Sequence, residues 1–542
     1  LSRGLGDVYK RQVNPKGSKI MSKIMSKSME ESNMVIKTLN ENKIYNKVKK
    51  YNEYIAHLES ILSLLYWDER VTMPKLSSEY RGKQIAILTE YIHKLKTSKK
   101  YAKLINSLDE NKYQKYSEEW VNIRWWKYVY QRQSKIPPKL ISKLSNLVSI
   151  SMSIWEKAKE NKPKSLKDPN LKEYLKYLEK IILLNKEIIN LLGYEEEPYQ
   201  ALLENYEYGF SVSEIASIFN DLLNKTKELL NKYYDKSQKI KNISQVEFDI
   251  KKQEEFCNFL IKSIGFSEDF SRLDPTVHPF QTSISPKDIR ITTKYDKNNL
   301  FASIFGTLHE LGHAIYEYYL PERYYGQPRG SAISTSVHES QSRFWENVIG
   351  RSFSFWKYFY PKLTNYFETL KDYDLLEWLK NINKIELQPI RIEADELTYN
   401  LHIILRFKIE RKIFNDNLKV QEIPELWNEL FYQYFGFKLD NYSDGFIQDI
   451  HWAESLFGYF PSYTLGNLIA AQLYESMKSK MDLNEILSKG DFSLIINYLK
   501  ENIYDHGMTY TTKEIVEKVT NKKLDAFYLY SYLDEKYNLL YS

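Results

Sequence analysis

His309-Glu310-Leu311-Gly312-His313 stands inside a proline-free run bounded by an Asn298-Asn299 turn and by Pro321. Ile304, Phe305, Leu308, Leu311, Ala314 and Ile315 make a helix here apolar on nearly every side, and such a helix is buried. Histidine and glutamate inside a buried helix need partners. Residues i and i+4 share one helix face, so both imidazoles reach a single point, and Glu310 beside them can act on a water held there. H-E-x-x-H on a helix is the pattern of a zinc-peptidase core. A solvated helix face could carry the same letters, but it fits poorly in this apolar setting.

The rest of the composition agrees with a large helical protein. Of 542 residues only 18 are Gly and 16 are Pro, which favours helix over sheet. The net charge of +6 is spread over many Lys and Glu without a dominant basic cluster, which argues against a nucleic-acid partner. A single cysteine, Cys257, excludes an internal disulfide and reads as a small buried hydrophobe. No run of 18 apolar residues exists, so no membrane partner is expected, and Leu1 to Met34 lacks the apolar segment of a secretory signal. A cytoplasmic location is the default. The opening Leu1 to Gln12 resembles a translated sequencing adapter, with Met21 or Met25 as the natural start. Residues 1–36 are expected to be an extension, partly artefact and disordered. Residues 37–542 are expected to form one domain with its active-site region at about 274–465.

Helical spacing is expected from Lys37 to Lys115 with a break at Met73-Pro74, then over Leu140 to Trp155 and Leu171 to Leu192. Lys157 to Asn170 and Lys236 to Gln245 read as polar connections. Pro275, Pro279 and Pro286 mark an extended stretch, and Ile289 to Thr293 alternates as a short strand. A strand followed by the His309 helix gives a cleft a wall and a floor.

A catalytic zinc needs three protein ligands and an open position. Glu339 follows His313 at the head of another helical run and is the expected third ligand, giving a His₂Glu set. His338 beside it could orient a ligand or line the pocket. Arg391, Asp395, Thr398 and His402 recur at helical spacing and are expected on one helix face, either lining the cleft or salt-bridged in solvent.

Six ordered motifs give a resemblance. His278-Pro279-Phe280, Asp288-Ile289-Arg290-Ile291-Thr292, His309 to His313, His338-Glu339-Ser340-Gln341, Ile390-Arg391-Ile392-Glu393-Ala394-Asp395 and Gly445 to Trp452 stand in sequence. Weaker features, from Trp67-Asp68 to His506-Gly507, extend the match to about Lys37 to Ser542. The chain resembles the carboxypeptidase Taq family of metallocarboxypeptidases. The resemblance implies a mainly α, two-lobed fold like that of neurolysin and angiotensin-converting enzyme, with a deep cleft and a small antiparallel sheet on one wall. It implies homodimers that remove single C-terminal residues from peptides with broad preference and poor action near proline. His309, His313 and Glu339 would hold one Zn²⁺ per subunit, with Co²⁺ able to replace it. Water activated on the metal would be the nucleophile and Glu310 the general base.

His451 and Tyr463 are the expected oxyanion donors. A substrate carboxylate needs a fixed cation, and a planar guanidinium binds it in bidentate fashion. Arg290 and Arg391 are the candidates, with Arg391 favoured. His278, Asp288 and Thr292 complete the expected substrate-binding set; Asp288, Arg290 and Thr292 alternate on one strand face, and Asp288 could simply orient Arg290. An aminopeptidase would need an acidic G-x-M-E-N-type motif, which is missing. An endo-acting oligopeptidase with a similar cleft and a non-catalytic relative remain as rivals.

Overall fold

The computed structural model describes residues 15–243 and 246–542, with side chains (Lys27 apart) from residue 41 onward. The expected N-terminal extension lies outside the described residues up to residue 14. From Pro15 the backbone is helical, in α1 (Pro15–Val71). After the Met73-Pro74 break comes α2 (Ser78–Lys96), antiparallel hairpin partner of α1. Helices also cover Pro138–Glu160 and Pro169–Leu192, so the Lys- and Pro-rich connection between them is shorter than its composition suggests. Pro138 and Pro169 each sit in a first helical turn, where the missing N–H costs nothing. Asp168 accepts from Leu171 N and caps the second of these helices. Among the described residues no helix is long and apolar enough to cross a membrane.

The hydrophobic interior has two parts. A small core of Tyr45, Val48, Tyr101, Ile105, Leu108, Ile123 and Trp126 holds the N-terminal helices together. A far larger one runs from Leu140 to Tyr541. The cleft opens where these two bodies meet, with Trp125 and Tyr128 facing the His309 helix across it.

One small sheet forms a wall. Its strands are β1 (Ser271–Pro275), β2 (Gln281–Ser285) and β3 (Asp288–Thr293), in the order β1-β3-β2. The sheet is mixed rather than wholly antiparallel: β2 pairs with β3 as expected, but β1 runs parallel to β3. Thr292 Oγ1 accepts from Phe280 N at 2.9 Å and donates to Phe280 O at 3.1 Å, which fixes the His278-Pro279-Phe280 turn against β3. From α1, Ser60 Oγ donates to Ile284 O, and the Trp67 ring centre lies 4.8 Å from the Arg272 guanidinium and 4.5 Å from that of Arg290.

The stripe expected over Arg391 to His402 is not on one helix. Arg391–Glu393 is a single 3₁₀ turn, and the next helix begins at Tyr399. Asp395 is the reason. Its carboxylate accepts from the backbone N–H groups of Glu386, Leu397 and Thr398 and from Thr398 Oγ1, which folds the chain into a turn before the helix. His402 is 1% exposed, among Phe431 and Phe435, away from the cleft.

Candidate active site

The metal helix, Leu300–Tyr319, starts at Asn299, whose side chain accepts from Ala302 N. The Glu339 helix, Thr335–Arg343, starts at Ser334, which accepts from Val337 N. The two approach closely because of Gly312: a Cβ there would stand 2.4 Å from Gln341 O. A third helix, Pro461–Lys478, carries Tyr463 and presses on the other side of Glu339. A Cβ on Gly466 would stand 2.7 Å from Glu339 Cγ. Two glycines thus let three helices converge on one carboxylate.

His309, His313 and Glu339 offer ligand atoms all within 4.8 Å of one another. Glu339 Oε2 lies 3.9 Å from His309 Nε2 and 3.6 Å from His313 Nε2. Both imidazoles have their other nitrogen engaged, His309 Nδ1 with Glu346 Oε2 at 2.8 Å and His313 Nδ1 with His338 Nδ1 at 2.6 Å. The Nε2 atoms are therefore left for a common partner, as in outer-shell support of metal-binding histidines. Glu339 Oε1 accepts from Arg343 Nε at 2.7 Å, which leaves Oε2 turned to the histidines. A divalent cation suits this donor set.

Charge around the triad is strongly coupled. Burial works against a proton on His309, but Glu339 and Glu346 outweigh it and raise the imidazole to about 9. Burial opposes the charge of Glu346 as well, yet Arg343 and His309 hold it down at about 2. Burial, with Glu339 and Glu346 nearby, raises Glu310 to about 7.

The triad opens on a cavity of about 670 Å³. Glu310 and Tyr463 line it with His309, His313 and Glu339, and Trp125, Tyr128, Tyr206 and Tyr208 form the facing aromatic wall. Of the other expected residues, His451 sits behind Tyr463, its Nε2 3.1 Å from the Tyr463 hydroxyl. Burial keeps His451 down at about 3, so it is neutral. Neither arginine reaches the cavity wall. Arg290 is held by both oxygens of Asp288 at 2.7 and 2.8 Å. Arg391 lies under Tyr463, 4.9 Å from its ring centre, bound to Asp449 and to the Tyr399 hydroxyl. His278 is exposed at the turn that places Phe280 in the wall.

Sequence reasoning missed Glu346, Glu317 and Arg343. Helical spacing could have found them, because Glu317 lies one turn beyond His313, and Arg343 and Glu346 lie one and two turns beyond Glu339. The aromatic wall had no such signal, since 45 tyrosines are scattered through the chain.

Comparison with known proteins agrees with this geometry. The family model described as carboxypeptidase Taq (M32) metallopeptidase matches residues 47–537. Thermostable carboxypeptidase 1 of Thermus thermophilus is 35% identical over 510 residues, covering 92% of this chain and 99% of its own. Carboxypeptidase 1 of Bacillus subtilis is 36% identical over 491 residues, covering 90% of this chain and 96% of its own. A solved structure of the Pyrococcus furiosus carboxypeptidase superposes with a TM-score of 0.86 at 33% identity, covering 91% of this chain and 99% of that one. The chain therefore belongs to the carboxypeptidase Taq (M32) family of metallopeptidases, and is a metallocarboxypeptidase that requires a divalent metal.

Proposed function

We propose that this enzyme removes single residues from peptide C-termini with broad preference, using one zinc ion per chain held by His309, His313 and Glu339, with cobalt able to replace it. The observation that carries the reading is the convergence of two free Nε2 atoms and one carboxylate oxygen beside Glu310 in the same cavity. When bound, the metal supplies Lewis acidity that polarises the scissile carbonyl and acidifies water. Glu310 takes the proton from the attacking water and delivers it to the leaving amine, serving as base and then as acid. Tyr463 donates its hydroxyl to the developing oxyanion, and His451 behind it holds that hydroxyl in place.

Arg391 takes the terminal carboxylate. Asp288 neutralises Arg290 one to one, whereas Asp449 alone faces both Arg391 and Arg406. Burial opposes the charge on Asp449, but the two guanidinium groups hold it far below the usual carboxylate range, so one carboxylate is shared between two cations. Tyr463 separates Arg391 from the cavity, so this assignment requires the Tyr463 side chain to shift on substrate binding, and its hydroxyl, held here by His451, then meets the oxyanion from the shifted position. His278, Asp288 and Thr292 act on substrate through the β2–β3 wall that positions Phe280. Broad preference fits an aromatic wall that offers few polar demands. Peptide ladders analysed by mass spectrometry, with zinc-loaded, chelated and Glu310→Gln protein, test the reading. Loss of one residue at a time from the C-terminus, by the zinc-loaded wild type alone, is the expected result. Internal cuts would instead support an oligopeptidase. Arg290→Ala and Arg391→Ala test the clamp: if both keep wild-type kcat/KM, neither arginine holds the terminus.

A second copy of the chain is the proposed partner besides peptide. Tyr80, Ile87 and Tyr91 are exposed along one side of α2, with Leu76 exposed in the 3₁₀ turn before it, and Tyr80 and Ile87 are 71% and 70% exposed. Glu79, Lys83, Glu90 and Lys94 flank them. An antiparallel α2 from the partner would set Glu79 against the partner's Lys94 and Lys83 against the partner's Glu90. Sedimentation of Ile87→Lys should give a monomer where the wild type gives a dimer. A cytoplasmic setting fits Cys257, a free thiol that burial pushes up to about 12.

A further inference from the structure

The metal helix presents His309, His313 and Glu317 on one face at successive turns. Glu317 is too far along to join the triad and does not line the cavity. Its Oε1 lies 2.9 Å from His338 Nε2, and His338 Nδ1 lies 2.6 Å from His313 Nδ1. On the other side, Glu317 Oε2 accepts from Ser283 Oγ at 3.3 Å, and Ser283 Oγ accepts from Gln281 Nε2 at 2.8 Å. Gln281 and His338 both line the cavity. A continuous polar chain therefore runs from the edge strand β2 through Glu317 and His338 to one histidine of the triad.

Proton counting along this chain has one solution for neutral rings. A carboxylate only accepts, so His338 carries its proton on Nε2. A neutral imidazole has one N–H, so His338 Nδ1 is bare and must accept. His313 then carries its proton on Nδ1, and its Nε2 lone pair is left facing Glu339 Oε2. If Glu317 did not hold the His338 proton at Nε2, His338 could donate from Nδ1 instead. His313 would then keep its proton on Nε2, where it blocks a metal.

We propose that Glu317 is a positioning residue that selects the metal-binding tautomer of His313 through His338. The proposal rests on the metal reading of the triad, and the test separates the two. Metal-free protein is titrated with zinc against a chromogenic chelator, and melting temperatures of the metal-free variants report the fold. Wild type should take up one zinc per chain; if it takes up none, the metal reading itself falls, and the relay with it. Given wild-type uptake, Glu317→Ala should weaken zinc binding by roughly 10–100-fold, the usual effect of removing an outer-shell partner. Glu317→Gln should recover most of that loss, because its amide oxygen still accepts from His338 Nε2–H. His338→Phe keeps a ring but no nitrogen, and should match Glu317→Ala. The double variant should be no weaker than either single one, since both break the same chain. Zinc affinity of Glu317→Ala within twofold of wild type would overturn the proposal. So would a Gln variant as weak as Ala, or full additivity in the double variant. Should Glu317→Ala fail to fold, His338→Phe and Glu317→Gln carry the same decision.

Discussion

The two ends of the cleft carry opposite surpluses of buried charge. Around the metal triad, Glu310, Glu317, Glu339 and Glu346 face only Arg343 and Arg351. With the histidines neutral, as they must be to bind a metal, and Glu310 ionised, two negative charges are left over, the charge of one divalent cation. Behind Tyr463, Arg391 and Arg406 share Asp449, and one positive charge is left over while Glu410 near Arg406, which burial raises to about 7, stays protonated. That matches the charge of one substrate carboxylate. Buried charges without partners are costly, so each surplus is tolerable only where a ligand completes it. On the function proposed above, the first pole would take a cation and the second an anion, with the scissile bond between them. Glu207 ties the poles together. Fully buried, it accepts from Ser336 N and Oγ at the start of the Glu339 helix and from Ser462 Oγ beside Tyr463.

Changing one charge at each pole should have opposite consequences. Glu310→Gln should lower kcat by about 10²–10⁴-fold with zinc content unchanged, as expected for a general base. In the metal-free state the same change removes a carboxyl whose charge burial opposes, so stability in urea should not fall. Asp449→Asn should do the reverse. It leaves two buried guanidinium groups without their partner and should cost about 3–5 kcal/mol of stability. Equal effects of the two changes on metal-free stability would contradict the charge difference between the poles.

Smaller effects test what joins the poles. Burial raises Glu207 to about 7 against an ordinary 4.5, so its contribution to stability is full below pH 4.5 and is lost as pH rises through 7. Wild type should lose about 3 kcal/mol across that window through this group, and Glu207→Gln should show a shallower slope in urea denaturation, the remainder coming from Glu310 and Glu410, which burial also raises to about 7. Gly466→Ala would push its Cβ against Glu339 and should weaken zinc binding by about tenfold while kcat at saturating zinc changes less. A wild-type zinc affinity in that variant would show that Glu339 has room to shift.

The metal pole was far more legible in the sequence than the anion pole. His309, His313 and Glu339 lie on two helices whose spacing alone puts them on usable faces, and the structure brings all three together. Strand β3 was likewise readable from the alternation of Ile289 to Thr293. The anion pole depends on pairings between distant segments. Arg391 meets Asp449 across 58 positions, and no local pattern announces that contact. Asp395 misled for a related reason. Its spacing from Arg391 fits a helix, but a carboxylate that captures four local donors makes a turn instead. The parallel pairing of β1 was hidden too, because alternation gives a strand its faces and not its neighbour.

The most direct test of the two-pole account uses one peptide in two forms, the free acid and the C-terminal amide, with zinc-loaded wild-type enzyme. The account predicts stepwise release of the last residue from the acid and a kcat/KM for the amide lower by roughly 100-fold or more, since a buried charge left without its partner costs about 3 kcal/mol or more. Equal rates for the two forms would contradict it, for then the unmatched positive charge behind Tyr463 would have no part in choosing where the chain is cut.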